Sequence, residues 1–326
     1  MVWQNFAPEI PRLPTLELIL VGIMPLVLTL CGTICNLLCI IVLLSKLRRE
    51  ASRNSHRVST NVYLICLCFA DTIALYQFNL DNSVANLTGK SIMSRSLITC
   101  KLLEFFGYYT LHLPVAYLTM ATIDRTFMLW SPAYKRKIAH PKQAWRICIS
   151  IAGTLLLTDC FLLALGYVDA DGTIQCFHST NAALYKAFLL YLTWFHLVLM
   201  TMVPFAVMLL CTLLTIIKLV RLPRVNEASY LRNRRISIML ACMCITYILL
   251  TLPNRLCFSV LTPLVESSIA ANVIFSLTDS LTYLASSLNY LFLSVTVKGF
   301  WTDLRSLLTM RRFHSHTTET TASTYF

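Results

Sequence analysis

Charge and flexible residues are scarce in this sequence. Only 13% of its 326 residues are charged, whereas a soluble domain of this size carries about twice that fraction. Eight glycines and 11 prolines leave little room for flexible linkers or low-complexity stretches. We find no repeat that would build a solenoid, no glycine-rich loop that could cradle a phosphate, and no catalytic constellation. The sequence therefore predicts neither an enzyme nor a soluble protein.

Apolar residues make up 57% of the chain, and they are gathered into long blocks. Each block reaches or exceeds the roughly 20 residues that a helix needs to cross a bilayer. Seven such blocks are present: 18–45, 61–80, 97–129, 146–168, 185–220, 236–262 and 271–296. They predict an all-α membrane protein, a bundle of seven transmembrane helices. Residues 1–17 lack a basic segment ahead of a short apolar core, so we expect the first span itself to direct insertion.

The basic residues orient this bundle. Most of the 27 lysines and arginines lie in four segments, 46–57, 125–146, 218–235 and 298–312. These segments fall on one side of the predicted bundle, which the positive-inside rule makes cytoplasmic. The amino terminus is then extracellular, as is the glycosylation sequon at Asn86, which is predicted to lie in an outer loop. The net charge of +12 is thus a topology signal and gives no reason to expect a nucleic-acid partner.

Most of the 13 cysteines fall inside apolar spans, where they are expected to be small buried hydrophobic residues. No pair has metal-ligand spacing with histidines nearby. Cys100 and Cys176 differ, because both are predicted on the outer side, where a disulfide can persist. They either form a bridge that pins the outer loop across the third span or remain two unpaired thiols.

Several residues, in order and on the predicted sides, resemble the motifs of the rhodopsin-like (class A) G-protein-coupled receptors. They are Asn36 in the first span, Leu67-Cys68-Phe69-Ala70-Asp71 in the second, Cys100 and Asp124-Arg125-Thr126 in the third, Pro132 and Tyr134 in an inner loop, Pro204, Pro253 and Asn289. The 25 residues from Cys100 to Arg125 span about 37 Å as a helix, so they mark opposite faces of the membrane.

This resemblance implies a plasma-membrane receptor that activates a heterotrimeric G protein. Its expected parts are an extracellular tail (1–17), the bundle (18–297), an amphipathic helix along the inner surface (298–309) and a cytoplasmic tail (310–326). Serines and threonines in that tail would be phosphorylated by a receptor kinase and would bind an arrestin. No cofactor is expected, apart from the sodium ion described next.

The resemblance also assigns roles to two polar groups of residues. Asn36, Asp71 and Asn289 would form a polar core, which either holds a sodium ion or is a hydrogen-bonded structural cluster. At the inner face, Asp124 and Arg125 would form a lock near Pro132, or else a solvated charge pair at a helix end.

The sequence also departs from the family pattern. Thr126, Thr212 and Leu293 stand where tyrosines are usual, Tyr290 stands where a proline is usual, and Pro114 replaces a serine near the polar core. These departures leave open the alternative of a receptor-like scaffold that no longer couples. A small-solute transporter or channel is a separate alternative. The lack of inverted repeats and glycine-rich broken helices argues against the transporter.

The predicted ligand site lies in the outer half of the bundle. Its candidate residues are Glu104, Tyr108, His112, Arg255, Asp279 and Tyr283. The first three are spaced four apart and share one helix face, although a lone histidine such as His112 more often makes a hydrogen bond within the bundle. Gly107 stands where amine receptors carry an aspartate, and Tyr283 where opsins carry the retinal lysine. A peptide with a basic or amidated end, meeting Glu104 or Asp279, is therefore the expected ligand.

Overall fold

The computed structural model describes residues 18–52, 59–221, 227–257, 269–296 and 300–308, and most of these residues are helical. The first span combines a π-helical turn (Leu18–Ile23) with α1 (Met24–Ser52), the second combines α2 (Ser59–Leu75) with α3 (Phe78–Thr88), and the third is α4 (Leu97–Trp130). After α5 (Pro132–Lys137), the fourth span comprises α6 (Pro141–Asp159) and a 3-10 turn (Cys160–Ala164). The predicted tails, 1–17 and 310–326, lie outside the described residues.

The outer connection after the fourth span contains a small antiparallel hairpin, in which β1 (Tyr167–Val168) pairs with β2 (Ile174–Gln175). The fifth span then runs through α7 (Ala182–Leu190), a π-helical segment (Tyr191–Met202) and α8 (Val203–Arg221). The sixth span is α9 (Glu227–Leu256), and the seventh is α10 (Ile269–Ser287) with α11 (Asn289–Thr296). A last helix, α12 (Phe300–Leu308), corresponds to the amphipathic helix predicted at 298–309.

Five of the described helices are long and apolar enough to cross a membrane: Leu18–Arg49, Ser59–Thr88, Pro141–Ala164, Ala182–Arg221 and Asn233–Leu256. The third and seventh spans contain more polar residues. The third span contacts the second, fourth and fifth, and the seventh contacts the first, second and sixth. Their polar side chains can therefore face other helices rather than lipid.

Local sequence signals explain several helix ends. Ser96 and Thr99 form a reciprocal capping box at the start of α4. The Ser131 hydroxyl accepts the N–H of Tyr134 at the start of α5, where Pro132 occupies the first turn. Pro141 plays the same part in α6, so prolines that would break a helix interior instead begin these helices.

The second span corrects two predictions from the sequence. It was expected to end near residue 80, before Asp81, but after a break at Tyr76 and Gln77 it continues as α3 to Thr88. Asp81 is buried, and its carboxylate accepts the N–H groups of Ile92 and Met93 and the hydroxyl of a nearby serine. A carboxylate that is satisfied internally does not have to mark the membrane surface.

The same correction applies to Asn86, which was expected in a loop. It lies in the last turn of α3, half-buried, and its Oδ1 is 3.0 Å from where a Cβ on Gly22 of the first span would be. The first and sixth helices also extend beyond their apolar runs, the first to Ser52 and the sixth from Glu227. The length of an apolar run therefore indicates the part of a helix that crosses the membrane and not the full length of the helix.

The main hydrophobic core fills the middle and inner part of the bundle, and all seven spans contribute to it. Phe300 and Leu304 of α12 belong to it, at 1% and 7% exposure, and the Phe300 ring lies 5.5 Å from that of Tyr290. A salt bridge between Arg49 and Asp303 joins α12 to the end of the first span. The amphipathic helix therefore turns one apolar edge into the bundle and leaves Trp301 exposed.

Candidate functional site

A chain of buried polar side chains crosses the outer half of the bundle. Asp159 Oδ2 lies 3.0 Å from His112 Nδ1, His112 Nε2 lies 2.9 Å from His196 Nδ1, and His196 Nε2 lies 3.0 Å from Arg255 Nη1. All four residues are at most 3% exposed. Because they come from the fourth, third, fifth and sixth spans, the chain ties four helices together. We call these four residues the imidazole relay.

The hydrogen-bond directions within the relay follow from its two ends. A guanidinium can only donate, so Nε2 of His196 must accept from Arg255 and its Nδ1 must carry the proton. That N–H donates to Nε2 of His112, whose own Nδ1–H then donates to Asp159. The relay thus connects a cation to a carboxylate through two neutral imidazoles.

The π-helical segment explains how the fifth span enters the relay. A π-helix pairs residues five apart, which places Tyr191 and His196 about one turn from each other. The Tyr191 hydroxyl donates to Asp159 Oδ1 at 2.9 Å, and the Thr201 hydroxyl donates to the carbonyl of His196 at 2.9 Å. Both oxygens of Asp159 are therefore bonded, as a buried carboxylate requires.

Sequence reasoning found His112 and Arg255 but missed Asp159, Tyr191 and His196 as members of this site. In the sequence Asp159 shows only as one carboxylate inside the apolar block 146–168, with no indication of its partners. The available signal for His196 was a titratable side chain inside a strongly apolar block, which in a membrane protein is a functional candidate by default. For Tyr191 no signal exists in helical periodicity, since its position depends on the π-helical geometry.

Glu104 lies on the same helix face as His112, and it holds the outer loop. Its Oε2 accepts the backbone N–H of Phe177 at 3.2 Å, next to the disulfide that joins Cys100 to Cys176. Glu104 is fully buried, and its Oε1 has no hydrogen-bond partner among the described residues. A buried carboxylate with an open acceptor position favours binding of an N–H group from outside.

Aromatic rings enclose this position. The Phe177 ring lies 6.0 Å from Phe78, 6.4 Å from Tyr108 and 6.5 Å from Phe188, measured between ring centroids. Tyr108 also meets the His196 ring edge-on at 5.3 Å. The outer loop thus inserts an aromatic side chain into the bundle directly above the imidazole relay.

Two further predicted ligand residues, Asp279 and Tyr283, lie on the seventh span. Asp279 accepts the side-chain amide of Asn82 at 3.2 Å and that of Asn254 at 3.4 Å. Tyr283 packs in a buried cluster with Leu28 of the first span and residues of the second. The structure therefore brings Asp279 to the sixth span beside Arg255, whereas Tyr283 faces the first two spans.

The predicted polar core is assembled deeper in the bundle. Asn289 Nδ2 donates to Asp71 Oδ2 at 2.7 Å and to Asn36 Oδ1 at 3.3 Å, while Asn36 donates to the carbonyl of Ser286 at 3.0 Å. Asp71 is 1% exposed, and its Oδ1 has no partner among the described residues. This geometry leaves one carboxylate oxygen available to a cation.

At the inner face, hydroxyl groups hold Asp124. Oδ2 accepts from Ser59 at 2.9 Å and from Thr60 at 3.1 Å, and Oδ1 accepts from Tyr134 at 3.0 Å. Burial, followed by the neighbouring carboxylate, raises the pKa of the Tyr134 phenol, which therefore stays protonated as a donor. Arg125 is 5% exposed, and its Nη1 lies 4.0 Å from the Met128 sulfur.

Threonines join the third and fifth spans, and one of them, Thr126, stands where the family pattern has a tyrosine. The Thr126 hydroxyl lies 3.0 Å from that of Thr215 and donates to the Cys211 carbonyl at 3.1 Å. A small cavity next to this contact is lined by Arg125 and by Thr212, whose hydroxyl has no partner among the described residues. The inner ends of these spans are thus closed by short side chains.

Comparison with known proteins gives two findings. A family model described as "7 transmembrane receptor (rhodopsin family)" matches residues 21–291. Two curated proteins, both named cysteinyl leukotriene receptor 1, are similar to the chain over 161 residues: the protein of Cavia porcellus is 26% identical and that of Sus scrofa 24%. Each match covers 49% of this chain and 47% of the relative, so the chain spans about half the length of these curated relatives.

Proposed function

Since the chain belongs to the rhodopsin family of seven-transmembrane receptors, we propose that it binds an extracellular peptide in the outer half of the bundle and activates a heterotrimeric G protein inside the cell. The observation that carries this proposal is the buried carboxylate of Glu104, with its open Oε1 beneath the outer loop. Leaving such an acceptor unpaired costs roughly 1–3 kcal/mol. A ligand that brings an N–H group would recover that energy.

A cationic or amidated peptide end matches the charges of this region. Glu104 and Asp279 supply two carboxylates on the third and seventh spans, and the aromatic rings around Phe177 supply apolar contact area. Arg255 already donates to His196 within the imidazole relay. An incoming cation would therefore find carboxylates at the site, whereas an incoming anion would compete with the relay for Arg255.

A lipid ligand is the second candidate, because the two curated relatives are named as leukotriene receptors. On this alternative, Arg255 would be the polar anchor and the aromatic rings of Tyr108 and Phe177 would contact an apolar chain. The two candidates make opposite demands on charge. Removing the charge of Glu104 should weaken the binding of a cationic peptide. Removing the charge of Arg255 should weaken the binding of a lipid with an anionic head.

The proposed orientation has the amino terminus outside and the carboxyl terminus in the cytoplasm, at the plasma membrane. The basic segments 46–57, 125–146 and 218–235 support it through the positive-inside rule. It makes 1–17 an extracellular tail, 18–297 the bundle, and 310–326 a cytoplasmic tail able to bind an arrestin once a receptor kinase has phosphorylated it. Asp124, Arg125 and Pro132 then lie on the side where the G protein binds.

The test is a G-protein dissociation assay in cells that express the chain, with a peptide library and a lipid library as separate arms. The proposal predicts a dose-dependent signal in the peptide arm, which Arg125→Ala abolishes at equal surface expression. Glu104→Gln should raise the half-maximal concentration about 10-fold to 100-fold, which corresponds to losing one hydrogen bond to a charged group. Asp171→Asn, in the exposed outer hairpin, is the matched control and should change nothing.

Other outcomes of this assay contradict the peptide. A signal that occurs only in the lipid arm, and that Arg255→Gln abolishes, shows that the ligand is a lipid and not a peptide. Silence in both arms, with confirmed surface expression, contradicts coupling and favours the scaffold or the small-solute transporter, which ion and solute flux would then separate.

A further inference from the structure

In the hydrogen-bonded arrangement that the structure shows, the imidazole relay has no place for an additional proton. Each nitrogen of His112 and His196 already faces a partner, and the donor order is fixed from Arg255 towards Asp159. Protonating either imidazole turns an acceptor nitrogen into a donor. At one contact within the relay, two N–H groups then face each other and no hydrogen bond can form.

The position of that conflict can be followed along the chain. A proton on His112 Nε2 faces the Nδ1–H of His196, and if His196 shifts its own proton to Nε2, that nitrogen faces the Arg255 guanidinium. In the second arrangement a cationic donor opposes another donor. The hydrogen bond between His196 on the fifth span and Arg255 on the sixth therefore breaks when the relay takes up a proton.

The surroundings do not remove this conflict. Among the described residues, the other titratable groups near the relay are Glu104, Tyr108 and Tyr109 on the third span, Tyr191 on the fifth, Tyr247 on the sixth, and Asp279 and Tyr283 on the seventh. Tyr191 and Asp159 are bonded to each other, and Asp279 accepts from two amides. Asp279 is a carboxylate that attracts the Arg255 guanidinium once His196 no longer accepts from it.

We propose that the imidazole relay is a proton-binding site that makes the receptor respond to the acidity of the outer medium, in addition to its ligand. Protons bind better to the state in which the relay is open than to the closed state, so acidification shifts the population towards the open state. An exposed imidazole titrates at about pH 6.5, which places the response between about pH 5 and 8. The sign follows from linkage: the closed state binds fewer protons, so its stability falls as the pH falls.

The deciding experiment measures the melting temperature of the full-length receptor in lipid nanodiscs as a function of pH. We expect the wild type to lose roughly 3–6 °C between about pH 8 and pH 5.5. The double variant His112→Gln/His196→Gln keeps amide donors and acceptors but cannot take up a proton, and most of that loss should disappear. His178→Gln, in the outer loop, is the matched control and should keep the wild-type slope.

A wild type whose melting temperature is constant across this range overturns the proposal, and so does a double variant with the wild-type slope. If the double variant fails to fold, the single variant His196→Gln must show a reduced slope. Ligand-free G-protein dissociation on acidification is measured in parallel. If the melting temperature depends on pH but this signal is absent, the peptide arm decides the meaning: a peptide that still triggers dissociation contradicts the acid response, whereas silence there as well contradicts G-protein coupling. The two proposals therefore fail separately.

Discussion

The backbone N–H of Phe177 donates to the buried carboxylate of Glu104, 73 positions earlier in the chain. Phe177 has a φ of 59°, in the left-handed region, and it is the single described residue other than glycine with a positive φ. Its neighbour Cys176 is bonded to Cys100 at the start of the third span. The carboxylate and the disulfide together hold this strained residue, so that its ring points into the aromatic cluster.

The first prediction concerns the backbone of Phe177. A left-handed conformation costs a residue other than glycine about 1–2 kcal/mol. Phe177→Gly and Phe177→Ala both remove the ring, but the glycine variant also removes this cost. We therefore expect Phe177→Gly to be more stable than Phe177→Ala by about 1 kcal/mol, measured by thermal unfolding of the purified receptor.

The matched control for this comparison is Phe188, which belongs to the same aromatic cluster but lies in the helix α7. There the usual order should hold, with Phe188→Gly less stable than Phe188→Ala by about 0.5–1 kcal/mol. The same order at both positions would contradict a strained backbone at Phe177.

The second prediction concerns Gly107 on the third span. A Cβ built on Gly107 would lie 2.2 Å from the ring of Phe78, and no comparable contact exists at Gly153, which has open space around it. Gly107→Ala should therefore destabilise the receptor by about 1–3 kcal/mol through overpacking. Gly153→Ala should be neutral or stabilising by up to about 1 kcal/mol, since alanine is the better helix former.

The smaller side chain of Phe78→Leu should rescue Gly107→Ala in the double variant, which a double-mutant cycle of melting temperatures would measure. Additive effects would mean that the Phe78 ring is not what excludes a side chain at position 107. The contact also gives a packing reason for glycine at the position where the family's amine receptors carry an aspartate.

Apolar length predicted the seven-helix architecture, and the family comparison confirms it. Apolar length placed the end of the second span wrongly, before Asp81. Hydropathy counts a carboxylate as polar, but it does not show that three donors in the next loop satisfy that carboxylate. It also missed His196, whose contribution depends on a π-helical segment that no 3.6-residue periodicity describes. The polar core and the hydroxyl contacts of Asp124 are long-range contacts, so the sequence indicated their residues but not their partners.

The third prediction concerns the inner face. Tyr134→Phe removes the hydroxyl that donates to Asp124 Oδ1 at 3.0 Å. A hydrogen bond to a charged group contributes about 1.5–3 kcal/mol, so the closed arrangement should lose stability and ligand-free G-protein dissociation should rise. Tyr185→Phe, on the outer side of the fifth span, is the control and should leave both quantities unchanged.

The pH dependence of this effect has a defined sign. Because the pKa of Tyr134 is raised, its contribution is fully present below the unfolded value of about 10 and is lost only as the pH rises through the folded value. The difference between wild type and Tyr134→Phe should therefore be constant between about pH 6 and pH 9. A difference that vanishes within this window would contradict the hydrogen bond as its cause.

The fourth prediction decides between the two interpretations of the polar core. Asp71 has one oxygen bonded to Asn289 and one without a partner among the described residues. If a sodium ion occupies this position, sodium chloride should raise the melting temperature relative to choline chloride at equal ionic strength. A ligand present at several times its dissociation constant stabilises by about 1 kcal/mol, and Asp71→Asn should abolish the response.

Asp81→Asn is the matched control for the sodium experiment, because the Asp81 carboxylate is already satisfied by donors from the outer loop. That variant should lower the melting temperature in both salts and leave the difference between them intact. If wild type and Asp71→Asn show the same small response to sodium, the polar core is a structural hydrogen-bond cluster. In that case the hydrogen bond from Asn289 to Asp71 is structural, and Asn289→Ala should destabilise the receptor equally in either salt.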